Sequence, residues 1–250
     1  MPFRSLDAND HDDTVASYKQ AADDNNIIVA EVGAWSNPIS PDNKVRAKAL
    51  EHCKSQLDLA ERMGAACCVN IAGGRGSQWD GPHEENFSSE TFNMIVDSVR
   101  EIHDAIKPKW TTYALEMMPW IFPDSAETYQ ALIKAIDRKG FSVHFDPVNM
   151  INSPRDYYRN SEIIGDFVKK LGPWINNVHA KDIKLHGNLT VHLDEVIPGQ
   201  GALNYRRLLT ELNMLNKDIS IIIEHLGTEA EYNQARKYIR HTSAACGINL

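Results

Sequence analysis

Short apolar runs alternate along the chain with longer stretches in which apolar residues recur every three or four positions. The runs 27–33, 66–72, 112–117, 141–146, 175–180 and 219–224 are apolar or β-rich and are flanked by turn residues. They read as strands buried on both faces, where no polar alternation is needed. The intervening stretches 12–24, 42–63, 88–106, 125–138, 155–171 and 205–215 carry helical periodicity. Strand and helix alternate, which predicts a parallel sheet with helices outside it. Local chemistry supports the boundaries: Ser125 stands three residues before Thr128 as an N-cap, while Gly64 after Met63 and Gly140 after Lys139 read as helix-terminal glycines.

A chain of 250 residues matches one (β/α)₈ barrel, which takes roughly 250 residues. The expected architecture is therefore α/β, a single TIM-type barrel domain over residues 1–250. Six runs are fewer than the eight strands that close such a barrel, and only a short polar segment precedes the first helix. The barrel is thus expected to be incomplete at the N-terminus, with its first β/α unit short or missing, or with residues 1–6 as a remnant strand. A doubly wound sheet would remove the shortfall, but no GxGxxG follows a first strand.

Composition narrows the partners more than the fold. Apolar residues make up 42% and charged residues 24%, enough for a large core. The net charge of -8, with no basic cluster, argues against nucleic acid or an anionic membrane as a partner and favours a small molecule. Cys53, Cys67, Cys68 and Cys246 form no CxxC pair and no disulfide-like spacing. With no apolar leader or membrane-length run, the expected location is cytoplasmic.

Four of the apolar runs end in a group that can bind a metal or a proton: Glu116, Asp146, His179 and Glu224. In a parallel β/α array the C-terminal strand ends share one rim, where such folds keep their active sites. One acidic strand end is usually a helix cap or a surface group, but four at equivalent positions are not explained that way. Buried carboxylates repel one another unless a cation compensates them. A divalent ion does so and leaves room for substrate oxygens. The oxygen-rich donor set favours Mn2+ or Mg2+, with Co2+ or Zn2+ as alternatives.

Leu115-Glu116, His144-Phe145-Asp146-Pro147-Val148-Asn149, Val178-His179-Ala180-Lys181-Asp182, Pro198-Gly199-Gln200-Gly201 and Ile223-Glu224-His225 resemble the motifs of the xylose isomerase-like sugar phosphate isomerase/epimerase barrels. The resemblance runs from about residue 27 to the C-terminal helix and identifies a superfamily, not a substrate. It implies one divalent metal held by Glu116, Asp146, His179 and Glu224, with Glu116 and Glu224 also acting on substrate. The implied activity is isomerisation or epimerisation of a ketose or keto-polyol by proton transfer through a metal-bound enediolate. It also implies that 116–224 spans the last four strands and that 27–33 is the third. Barrels of this kind often associate, so a homo-oligomer is a further expectation.

Just past the strand ends, Asn149 and Lys181 are placed to hydrogen-bond sugar hydroxyls, though they serve equally well as loop-stabilising groups. Trp35, Trp79 and Trp120 also follow strand ends and could wall a sugar ring, or be core or lid aromatics. Arg75, in the glycine-rich loop 73–77, is a candidate contact for an anionic substrate, although the loop lacks the Lys-Ser/Thr of a phosphate cradle. His144 should face the same side as Asp146 as an interior histidine, His225 should face outward, and His83, His186 and His192 fall in expected loops.

Three rivals remain. A dehydratase or lyase on a keto-sugar, inosose or dehydroshikimate-like substrate would expel a β-hydroxyl after the same proton abstraction. A phosphodiesterase of the apurinic-endonuclease kind would need more histidines, and residues 69–73 end a strand without one. A noncatalytic binding subunit would leave the metal unbound.

Overall fold

The structure, a computed structural model, describes residues 5–250. Residues 1–4, part of the expected remnant strand 1–6, lie outside the described residues, and Ser5 and Leu6 are not in a strand. The chain divides into two compact units, one formed by the chain up to Glu116 with Trp120–Pro123 and Ala131–Val143, the other by Met117–Pro119, Asp124–Gln130 and His144–Leu250.

The first unit contains α1 (Asp12–Asp24), β1 (Glu31–Gly33), α2 (Asn43–Met63), β2 (Cys67–Asn70), α3 (Ser89–Ile106) and β3 (Tyr113–Glu116). Its strands are parallel and in sequence order, with Glu31 opposite Cys67 and Cys68 opposite Tyr113. The helices begin where the sequence supplies caps: Asp42 accepts from the N–H groups of Lys44 and Val45, and Ser88 from that of Thr91. Gly64 ends α2 in the left-handed conformation, φ 68°, as expected. Val15 of α1 packs with Leu59 and Met63 of α2. Alternation along β2 and β3 sets the two faces of the sheet. Asn70 and Tyr113 lie on the side of α2, where the Asn70 amide reaches Cys53 and the Tyr113 hydroxyl. Cys67, Val69 and Ala114 cluster on the other side, and Glu116, two residues beyond Ala114, follows that face.

Glu61 of α2 holds the approach to β3, because its carboxylate accepts from the backbone N–H groups of Lys109, Trp110 and Thr111, each at 3.0 Å. Burial alone would raise this carboxyl, but the N–H groups outweigh it and hold it below the usual glutamate range. A depressed native value adds stability above the unfolded-state value, and that contribution disappears as pH falls through the native one. Glu61→Gln is therefore expected to cost about 1–2 kcal/mol near neutral pH. The difference from wild type should shrink on acidification, as read by urea denaturation across the acid range. A pH-independent difference would show that the carboxylate charge is immaterial.

Helix α4 (Ala126–Ile136) and strand β4 (Phe141–Phe145) both run from one unit into the other. Ser125 caps α4 as expected, its hydroxyl accepting from the Thr128 N–H at 3.2 Å. The expected terminal glycine does not end it. Asp137 takes the left-handed conformation instead, φ 51°. Gly140 is needed for a different reason, since a Cβ there would lie 2.6 Å from Nε2 of His103.

The second unit continues with α5 (Pro154–Tyr158), α6 (Asn160–Leu171), β5 (Ile175–Ala180), β6 (Asp182–His186), β7 (His192–Val196), α7 (Tyr205–Asn213), β8 (Ser220–Ile223) and α8 (Glu229–Ala245). Its parallel strands follow the order β4-β5-β8, with His179 opposite Ile222. Three expectations change here. The stretch 155–171 is two helices meeting at Arg159, not one. Strands β6 and β7 form an antiparallel hairpin pairing His186 with His192, so these histidines stand on strands and not in loops. Finally, β8 is only half-buried, as is β1 in the first unit. Among the described residues β1 is hydrogen-bonded to β2 and β8 to β5, each along one edge. Ile28, expected within the first buried strand, is 75% exposed. Among the described residues no helix is long and apolar enough to cross a membrane.

Candidate metal centre

In the second unit, β4, β5 and β8 each bring side chains to the same place from their C-terminal ends. Alternation puts His144 and Asp146 on one face of the β4 path, and His179 and Lys181 on one face of the β5 path. Glu224 follows Ile222, the neighbour of His179, by two residues and so shares its face. Asp146, His179 and Glu224 each offer a ligand atom, and these atoms lie within 4.8 Å of one another. Nδ1 of His179 is 2.9 Å from Oε1 of Glu224. The ammonium of Lys181 bridges the carboxylates, 2.7 Å from Oδ2 of Asp146 and 2.7 Å from Oε1 of Glu224.

Asp146 and His179 are buried, and Lys181 is 3% exposed. Charges so placed persist only when compensated. Oδ1 of Asp146 accepts from the N–H of Val148 at 2.9 Å and of Asn149 at 3.3 Å, which turns Oδ2 towards Lys181. His144 packs its ring against His179, centroids 4.1 Å apart at 63°, and so braces the imidazole from below. Glu116 stands buried at the end of β3 in the first unit. Carboxylate and imidazole donors meeting around a bridging positive charge form a set that suits a divalent cation.

Behind the centre, Asp182 organises the loop that returns from the hairpin. Its carboxylate accepts from the backbone N–H groups of Ile183, Gly199, Gly201 and Leu203. Burial pushes this carboxyl above its usual range while the four N–H groups pull it back. The Tyr205 hydroxyl donates to the Lys181 carbonyl at 2.7 Å, fixing the backbone between β5 and β6.

The remaining sequence candidates have structural partners. The Asn149 amide donates to the Met117 carbonyl at 2.9 Å and braces the segment that follows β3. In the first unit, Trp120 Nε1 donates to the Asp80 carbonyl at 2.7 Å. Arg75 sits between Glu85 at 3.7 Å and Glu90 at 3.6 Å, so its charge is already met. Trp35, 44% exposed, lines with Trp79, Val45 and Ala49 an open apolar cavity of ≈ 480 Å³. Burial pushes up the thiols of Cys53 and Cys68.

Two neighbours of the centre were not legible in the sequence. Glu195 on β7 places Oε2 3.9 Å from the Lys181 ammonium. His225, expected to face outward, contacts Glu195 through Nδ1 at 3.2 Å and approaches Glu224 through Nε2 at 3.7 Å. Its φ of 58° explains the difference, because strand alternation fails once the backbone turns left-handed. A non-glycine residue held in the left-handed region is common beside functional groups.

Parallel strands that deliver carboxylates and an imidazole from their C-terminal ends have the organisation of a β/α-barrel protein. The chain belongs to the xylose isomerase-like TIM barrel family, whose model matches residues 1–242. Solved structures agree on the fold at low identity. A D-tagatose 3-epimerase-like protein superposes with a TM-score of 0.72 at 18% identity, over 94% of this chain and 84% of that one. A xylose isomerase-like TIM barrel protein from Mycobacterium smegmatis in complex with magnesium gives 0.69 at 15% identity, over 96% and 81%. The probable 3-DHS dehydratase AsbF from Bacillus anthracis, involved in petrobactin synthesis, gives 0.67 at 18%, over 91% and 81%. No curated protein sequence matches the chain significantly.

Proposed function

We propose that this chain is a divalent-metal-dependent isomerase or epimerase of a ketose or related keto-polyol. The observation that carries the reading is the convergence of Asp146, His179 and Glu224 at one buried point where a positive charge already bridges two carboxylates. Glu116, buried at the end of β3, is the fourth ligand of the proposed set, and a single catalytic domain over residues 1–250 is part of the same proposal. The magnesium complex and the epimerase-like relative among the structural neighbours support Mg2+ or Mn2+ and sugar chemistry.

A bound divalent ion supplies Lewis-acid polarisation of a substrate carbonyl, which acidifies the adjacent C–H. The protein's own part is proton handling. One of Glu116 and Glu224 receives the carbon-bound proton at a carboxylate oxygen, and the other returns a proton to the opposite face or to the neighbouring carbon. Asp146 and His179 hold position, the former through its bonds to Val148 and Asn149, the latter through His144. Asn149, Lys181, Trp35, Trp120 and Arg75 are secondary proposals for substrate contact. A reducing, cytoplasmic setting suits cysteines that form no disulfide among the described residues.

Ketohexoses and ketopentoses incubated with the Mn2+-loaded protein in deuterated water decide the matter by NMR. Solvent deuterium at the carbon beside the carbonyl of an otherwise intact sugar is the expected result. An unsaturated product would replace the isomerase reading with a dehydratase. Retention of every C–H proton across the panel, with no product, would remove the proposed proton transfer.

A further inference from the structure

Lys181 is buried with its ammonium at equal distances, 2.7 Å, from Oδ2 of Asp146 and Oε1 of Glu224. Those oxygens belong to the ligand set proposed above, and Oε1 of Glu224 also lies 2.9 Å from Nδ1 of His179. The ammonium therefore stands between the donors that a divalent ion would engage. Two cations cannot share that space, because a lysine charge beside a divalent ion in a poorly hydrated site is strongly repelled. A receiving group is at hand. Glu195, outside the ligand set, lies 3.9 Å from the ammonium and is steadied by His225 at 3.2 Å. It sits on the hairpin, with its side chain 34% exposed, so an ammonium turned towards it gains solvent as well as a counter-charge.

We propose that Lys181 is an exchangeable internal counter-ion, which holds the metal ligands together in the metal-free protein and is handed to Glu195 when a divalent cation enters. The lysine keeps its proton throughout and the exchange moves charge, not bonds. Two properties follow: the empty site remains folded, since its buried carboxylates are compensated, and metal affinity is lowered by the work of displacing the ammonium. A lysine that merely hydrogen-bonds substrate would alter KM without touching metal affinity.

The inference rests on the metal reading, and the test separates the two. Chelator-stripped full-length protein is titrated with Mn2+ by calorimetry, as wild type, Lys181→Met and Glu195→Gln. Lys181→Met should bind Mn2+ tighter by about tenfold or more, and Glu195→Gln weaker by several-fold. The metal-free Lys181→Met protein should also melt below metal-free wild type, with the gap closing on Mn2+ loading. Wild type gives an independent readout, which also decides the question if Lys181→Met does not fold. Reductive methylation followed by mass spectrometry should label Lys181 slowly in the metal-free protein and faster with Mg2+ bound. Unchanged or weaker Mn2+ affinity in folded Lys181→Met, or equal labelling with and without Mg2+ in a protein that binds it, overturns the exchange but leaves the metal site standing. Failure of both wild type and Lys181→Met to take up Mn2+ removes the metal reading and the exchange with it.

Discussion

Glu116→Gln and Glu224→Gln are each expected to lower turnover by about 10²- to 10⁴-fold, the range associated with removal of a positioned acid or base. Glutamine keeps the shape and one acceptor oxygen but can neither take nor give the proton at its side-chain oxygen. Both substitutions also remove the charge of a proposed ligand, so the control is Asp146→Asn, which removes such a charge from a residue to which no proton role is assigned. Raising Mn2+ should restore much of the activity of Asp146→Asn by refilling a weakened site. The two glutamine variants should stay slow at saturating Mn2+. Deuterium exchange into substrate, read by NMR, checks the distinction directly. If all three variants recover alike, Glu116 and Glu224 are ligands only, and the proton is moved by another group.

Why the candidate residues stand out in the sequence follows from how these strands are buried. β2, β3, β4 and β5 are covered on both faces, apart from a half-buried Asn176 in β5, and none of them carries a charged residue before its C-terminal end. A charged or imidazole side chain ending such a run stands out, as Glu116, Asp146 and His179 do. Glu224 stands out for the same local reason, although β8 is only half-buried. The hairpin was missed for the opposite cause. Its first strand, Asp-Ile-Lys-Leu-His, alternates as a ribbon with one wet face does, while its second, His-Leu-Asp-Glu-Val, breaks the alternation at Asp194-Glu195. The signal was present, but a polar, partly exposed strand resembles a loop when buried strands set the expectation.

Other features leave no trace in one sequence. That Lys181 faces two carboxylates, and that Glu195 is its near neighbour, depends on where the hairpin folds back, which no spacing rule supplies. Asp137 in the left-handed conformation escapes notice because glycine is the usual sign of a helix end, and Gly140 three residues later drew the assignment. The break at Arg159 carries no glycine or proline to mark it.

Asp182→Ala should be among the most damaging single changes outside the ligand set. The carboxylate is 1% exposed and accepts from N–H groups at 2.8 Å (Ile183), 2.8 Å (Gly199), 3.1 Å (Gly201) and 2.9 Å (Leu203). Alanine leaves four donors facing a space that water reaches poorly, and removing one partner of a buried charged network costs about 3–5 kcal/mol. For a chain of this size each kcal/mol lowers the melting temperature by about 2–4 °C, so a fall of roughly 10 °C is expected. Gly201 belongs to the same arrangement, because a Cβ there would stand 2.3 Å from Oδ1 of Asp182 and 2.4 Å from the Ile183 carbonyl. Gly201→Ala should therefore lower the melting temperature in the same direction. The damage reaches the centre through the peptide that joins Asp182 to Lys181, whose carbonyl accepts from the Tyr205 hydroxyl. Loss of Mn2+ affinity should accompany the thermal loss in Asp182→Ala, and thermal melts with paired Mn2+ titrations measure both. An Asp182→Ala protein that melts like wild type would mean that the loop 197–203 is held by contacts other than this carboxylate.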